Sequence, residues 1–103
     1  MISLLKKLLG IQDTDIAGLI NQGAVIIDVR SPAEFAGGHA KNSINVPLER
    51  IGAKAEELKK HEHIIVCCRS GNRSGMAQRT LKAKGLKSVH NGGSWQNVNS
   101  YLN

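Results

Sequence analysis

The stretch Ile64-Ile-Val-Cys-Cys-Arg-Ser-Gly-Asn-Arg-Ser74 holds the residue types most suited to chemistry. An apolar run stops at a pair of cysteines, and a short polar loop with two arginines and a glycine follows. A cysteine where a buried strand stops and a helix is about to begin sits in surroundings that favour a thiolate. Backbone N–H groups of a tight loop and of a helix N-terminus point toward such a position, and Arg69 and Arg73 add positive charge nearby. A free thiol titrates near ~8.5, and surroundings of this kind bring it to roughly 3.5–7.5. The thiolate is the nucleophile, and Cys68 is the candidate, because both arginines and Gly71 follow it closely. Gly71 lets the loop turn with its amides inward. Ser70 and Ser74 supply hydroxyls, and Ser74 is also placed to cap the next helix. Cys67 reads as a small buried hydrophobe. Neighbouring Cα atoms lie about 3.8 Å apart, below the usual disulfide range of roughly 4.4–6.8 Å. No bridge between the two cysteines is expected, and free cysteines point to a reducing compartment, by default the cytoplasm.

The elements around this loop can be read from its flanks outward. Asp13 or Thr14 is placed to cap a helix over 15–22, where Ile16, Leu19 and Ile20 recur at helical spacing before Gly23. The run AVIIDV at 24–29 suits a strand buried on both faces. Ser31-Pro-Ala-Glu34 is a helix start, with Ser31 and Glu34 as a reciprocal capping pair and Pro32 at the first helical position. Residues 43–46 read as a short strand, 48–60 as a helix with Glu56 and Lys60 at a favourable spacing, and 63–67 as a second buried strand. A helix is expected over 74–84, with Met76, Ala77, Thr80 and Leu81 on one side. A strand over 86–90, a turn at Gly92-Gly93 and a closing helix over 94–102 complete the pattern. Strands alternating with helices predict an α/β fold: a parallel central sheet of four to five strands, flanked by helices on both faces. In such sheets ligands bind beyond the carboxyl ends of the strands, which is where the cysteines sit.

The totals narrow the classes. A chain of 103 residues makes one domain, read as an N-terminal segment 1–12, with the makings of a short helix, and a domain over 13–103. With 41% hydrophobic residues and only Phe35, Trp95 and Tyr101 as aromatics, the core must be aliphatic. The net charge of +6 is spread along the chain without a basic block, so it reads as a solvated surface and not as a nucleic-acid interface. No apolar run approaches the ~18 residues of a membrane span. Lys6 and Lys7 interrupt the start, MISLLKKLLG, so it lacks the core of a signal peptide.

The stretch Cys68-Arg-Ser-Gly-Asn-Arg-Ser74 resembles the active-site loop of rhodanese sulfurtransferases. Ile27-Asp-Val-Arg30, Glu34-Phe35, Gly38-His-Ala40, Ser43-Ile-Asn-Val-Pro47 and Val89-His-Asn-Gly-Gly-Ser-Trp95 follow in the order typical of that family, so the resemblance runs from about residue 13 to the end. It implies a two-step transfer. The Cys68 thiolate takes the outer sulfur of a small anionic donor such as thiosulfate, sulfite leaves, and a persulfide forms. A thiophilic acceptor then removes the sulfur: cyanide, a cellular thiol or a partner protein. No metal or organic cofactor is implied. Arg69, Ser70, Gly71, Asn72, Arg73 and Ser74 are the expected substrate-binding residues, with the arginines attracting the donor and stabilising the departing anion.

Two other frames compete with an active sulfurtransferase. The chain could be a persulfide carrier or interaction module serving a specific partner. Alternatively, Cys67-x5-Arg73-Ser74 matches the spacing of cysteine phosphatases and arsenate-type reductases, although Val66 stands where a histidine is usual and no general acid is evident nearby. Asp28 and Arg30 read first as a structural ion pair or loop cap, and alternatively as supports of the pocket. Glu34 reads mainly as a cap, and His39 and His90 as structural hydrogen-bonding residues. His61 and His63 lack a third ligand for zinc. The role of Trp95 stays open between packing and lining the pocket mouth.

Overall fold

A computed structural model describes residues 15–102. Helix α1 (Ile16–Asn21) is capped by Asp15, whose carboxylate accepts the Gly18 amide proton at 2.9 Å. The N-terminal segment 1–12 and the expected caps Asp13 and Thr14 lie outside the described residues. Strand β1 (Val25–Asp28) leads to α2 (Pro32–Ala36), where the Ser31–Glu34 capping box forms as its sequence requires. Next come β2 (Ile44–Asn45), α3 (Leu48–Ile51), α4 (Ala55–Leu58) and β3 (Ile64–Cys68). The chain closes with α5 (Asn72–Ala83), β4 (Val89–Ser94) and α6 (Trp95–Asn99).

The sheet has four strands in the order β2-β1-β3-β4, all parallel, at the lower end of the expected four to five. Alternation along β3 splits the core in two. Ile64, Val66 and Cys68 face a cluster with Ile51, Ala55 and Leu58 of α3 and α4 and Ala77 and Leu81 of α5. Ile65 and Cys67 face the opposite cluster, with Ile16 of α1 and Val98 of α6. Burial of these aliphatic faces, at about 25 cal/mol per Å² of apolar surface, is what holds the sheet between its helices.

Four local expectations are corrected. Residues 48–60 form two short helices, because the bonding tightens at Gly52, whose carbonyl accepts from Ala55 at 3.3 Å, and glycine is a poor helix former. Glu56 accordingly pairs with Lys59 and not Lys60. Helix α5 starts at Asn72, capped by Gly71, so Ser74 lies inside the helix instead of capping it, and Met76 faces solvent while Ser74, Gly75, Ala77 and Leu81 are buried. Gly92 and Gly93 are not a turn but an irregularity within β4: Val66 pairs with Asn91 and Cys68 with Ser94, leaving an extra residue on β4.

Candidate functional site

Strand β3 delivers Cys68 to the carboxyl edge of the sheet, and the chain then reverses through Arg69, Ser70 and Gly71 into α5. Gly71 makes the reversal. Its φ of +99° lies in the left-handed region, and a Cβ there would stand 3.3 Å from Gly93 Cα. That conformation aims the Gly71 amide back at Cys68 Sγ, 3.0 Å away. One turn into α5, the Ser74 amide and hydroxyl each lie 3.4 Å from the same sulfur. The residue itself is 1% exposed.

This environment decides the ionisation of the thiol. Burial alone would push Cys68 up. The Ser74 hydroxyl and the amides of Ser74, Ser70 and Gly71 outweigh it, so the thiol lies below its ordinary value. These hydrogen bonds, more than the charges of Arg69 and Arg73, favour the thiolate. Cys67 has the opposite fate. It is fully buried on the other face of the sheet, and burial, reinforced by the nearby Asp28 charge, pushes its thiol up to about 12. Among the described residues no donor reaches its sulfur. The Cys67-x5-Arg73 spacing therefore begins at a sulfur that the loop amides do not surround.

Residues from other elements brace the loop. Asn91 of β4 donates from Nδ2 to the Gly71 carbonyl at 3.0 Å, while its Oδ1 accepts from Ser74 Oγ at 2.7 Å and from the Gly93 amide at 2.9 Å. Asn91 was not singled out in the sequence, where the only signal was a polar residue at the end of a buried strand. Glu34 goes beyond its capping role. Its carboxylate takes both terminal nitrogens of Arg73, at 2.7 and 2.9 Å, and this fork holds its pKa down to about 2. Arg73 is thus not a free cation of the loop. Asn72 is exposed in the first turn of α5, and Arg69 and Ser70 are exposed at the loop crest. Arg69 has no ion-pair partner among the described residues.

Asp28 and Arg30 form a buried ion pair at 2.7 Å beneath this end of the sheet, with a second Arg30 nitrogen within 3.0 Å of both Asp28 oxygens. Arg30 also donates to the carbonyls of Gly38 at 2.7 Å and Glu34 at 3.3 Å, so it fixes the backbone that carries Glu34. Its guanidinium lies 5.2 Å from the Trp95 ring centroid, within cation–π range. Trp95 both packs against the core and lines a cleft of about 360 Å³ beside the loop, together with Arg30, Glu34, Gly38 and Arg69. His39 stacks on Phe35, and its Nδ1 bonds the Phe35 carbonyl at 2.7 Å. His63 and His90 share the Ser88 hydroxyl, at 2.7 and 2.9 Å. Among the described residues no group of three or more His, Cys, Asp or Glu is arranged to hold a metal ion, and no helix is long and apolar enough to cross a membrane.

Comparison with known proteins agrees with this architecture. The family profile of the Rhodanese-like domain matches residues 12–100. The Bacillus subtilis protein YrkF, whose name proposes a sulfur carrier, is 39% identical over 66 residues, covering 64% of this chain and 36% of its own. Thiosulfate sulfurtransferase 16 of the Arabidopsis thaliana chloroplast is 37% identical over 83 residues, 69% of each chain. The crystal structure of a rhodanese-related protein from Thermoplasma volcanium superposes with a TM-score of 0.70 at 30% identity, covering 87% of this chain and 92% of that one. Among curated relatives the chain often spans a third to about a half of the partner's length, 36%, 54% and 40% in three cases.

Proposed function

The chain belongs to the rhodanese-like domain family, and from that premise we propose that it is a sulfurtransferase that carries sulfane sulfur as a persulfide on Cys68. The observation that carries this reading is the convergence of the Gly71 and Ser74 amides and the Ser74 hydroxyl on one sulfur. In the first step Cys68 Sγ, as thiolate, forms a bond to the outer sulfur of a donor such as thiosulfate. The donor S–S bond breaks, and its electron pair leaves on sulfite. The new terminal sulfur is an anion, and the same loop amides that favour the thiolate are placed to stabilise it. In the second step an acceptor thiolate or cyanide attacks that terminal sulfur and restores the Cys68 thiolate. Covalent catalysis thereby divides one displacement into two.

Residues 13–103 form the unit that carries this activity, with 1–12 as a separate segment. Two unpaired cysteines fit a reducing compartment such as the cytoplasm. A second reading, a carrier that passes its sulfur to a partner protein, is favoured by the likeness to YrkF. Steady-state thiocyanate formation, with thiosulfate and cyanide varied together, tests the proposal. Parallel double-reciprocal lines are expected for the enzyme. Persulfide formation without cyanide turnover would favour the carrier. Intersecting lines from a ternary complex would refute the covalent route.

A further inference from the structure

The arginines at the loop are not equally available to a ligand. Arg30 is occupied by Asp28 in a buried pair. Arg73 is held in a two-pronged pair by Glu34, which reaches it from α2 across 39 residues of sequence. Only Arg69 projects at the loop crest without an ion-pair partner among the described residues. Glu34 and Arg69 line the same cleft, so an anion entering there meets one unpaired cation and one carboxylate. Arg73 keeps N–H donors beyond the two that Glu34 occupies, but a dianion that reaches them stands beside the Glu34 carboxylate, which repels both of its charges. A monoanion needs Arg69 alone.

Resting on the sulfurtransferase reading above, we propose that Glu34 is a specificity-determining residue that tunes the Cys68 loop toward singly charged sulfur donors, such as persulfides and thiosulfonates, over dianionic thiosulfate. Glu34 touches neither the reacting sulfur nor the nucleophile. It acts through Arg73 and through its own charge in the cleft wall.

Electrostatics gives this proposal a signature that a structural role lacks. Coulomb energy scales with the product of the charges. Removing one negative charge from the cleft therefore changes the logarithm of the rate constant twice as much for a dianion as for a monoanion at the same position. Glu34→Gln removes the charge yet keeps the capping box, because glutamine serves that position as well as glutamate. The two donors to compare are thiosulfate and methanethiosulfonate. Both offer an outer sulfur to Cys68, and in both the donor S–S bond breaks as the Sγ–S bond forms. The electron pair leaves on sulfite in one case and on methanesulfinate in the other, with no external oxidant or reductant.

The experiment measures kcat/KM for both donors, with cyanide as acceptor, in the parent and in Glu34→Gln, at low and physiological salt. If the variant gains about threefold with methanethiosulfonate, it should gain about tenfold with thiosulfate, and both gains should shrink as salt screens the cleft. Equal gains for the two donors, or no gain for thiosulfate, overturn the proposal, since a change in Cys68 ionisation or in loop order acts on both alike. Glu34→Ala, checked for folding by thermal unfolding, repeats the comparison should the glutamine variant fold poorly. If neither parent nor variant takes sulfur from either donor, the sulfurtransferase reading itself fails, which is a separate result.

Discussion

Replacing Ser74 by alanine isolates the hydrogen bond that does most to lower the Cys68 thiol. Ser74 Oγ has one proton and two neighbours that want it: Asn91 Oδ1 at 2.7 Å and Cys68 Sγ at 3.4 Å. With Cys68 as a thiol, the serine donates to Asn91 and the thiol donates to the serine. With Cys68 as a thiolate, the serine proton is better used on sulfur, and Asn91 Oδ1 keeps the Gly93 amide at 2.9 Å. A hydrogen bond to a charged group contributes about 1.5–3 kcal/mol. The exchange with Asn91 places the net effect at the low end, and ~1.4 kcal/mol is a factor of about ten in the ionisation constant. Ser74→Ala should therefore leave about tenfold less thiolate at any pH below the titration. Thiolate reactivity rises with basicity, with a Brønsted slope of about 0.4–0.5, so the variant's alkylation rate falls only about three- to fourfold there. Above the titration it should exceed the parent's by about threefold for the same reason. The assay is the pH profile of iodoacetamide alkylation of Cys68 in a Cys67→Ala background. Two profiles with the same midpoint would refute the assignment of Ser74 as a thiolate-stabilising donor.

Further predictions address the scaffold and its pH range. Asp28→Ala leaves the buried Arg30 charge without a counter-ion, held by backbone carbonyls and the Trp95 ring alone, and should lower unfolding free energy by about 3–5 kcal/mol in urea titrations; adding Arg30→Met should recover much of that loss. Gly92→Ala would place a Cβ 2.5 Å from Val98 Cγ2 and 2.8 Å from Ile65 Cγ2, overpacking the contact between β4 and α6 at a cost of about 1–3 kcal/mol, readable as a lower midpoint at unchanged slope. Burial, with the charges of Lys82 and His63, holds His90 below its ordinary 6.5, so the unfolded chain binds the proton more readily. Its contribution is therefore intact above about pH 6.5 and lost as the pH falls through the folded-state titration. The urea midpoint should drop between pH 7.5 and pH 5.5, and the drop should shrink in His90→Asn; an unchanged drop would assign it to other groups.

The sheet was legible because its strands are short, continuous aliphatic runs between capping and breaking signals. AVIIDV and HIIVC can be little else in a chain of this length. Periodicity does not tell the two cysteines apart if β3 ends at Cys67. Once the strand continues through Cys68, alternation itself sends one sulfur to each face. The start of α5 was misplaced because Ser74 is a good cap by type, whereas the loop geometry needs the left-handed turn that Gly71 supplies. The Gly92-Gly93 pair reads as a turn by composition, and only pairing with β3 shows it to be an irregularity inside a strand. Ser31-Pro-Ala-Glu34 announced a capping box, and the box is there. The second use of Glu34, on Arg73, depends on tertiary proximity that no local pattern encodes. Asn91 escaped notice for the same reason, since its three partners come from Gly71, Ser74 and Gly93.

The central claim, that Cys68 carries the sulfur, is tested most directly by intact mass after incubation with a sulfane-sulfur donor. The parent, Cys67→Ala and Cys68→Ser would be compared, with alanine chosen at position 67 because that side chain lies in an apolar core. A gain of one sulfur, about 32 Da, is predicted in the parent and in Cys67→Ala and should vanish in Cys68→Ser. Sulfur uptake that survives in Cys68→Ser and is lost in Cys67→Ala would contradict the account.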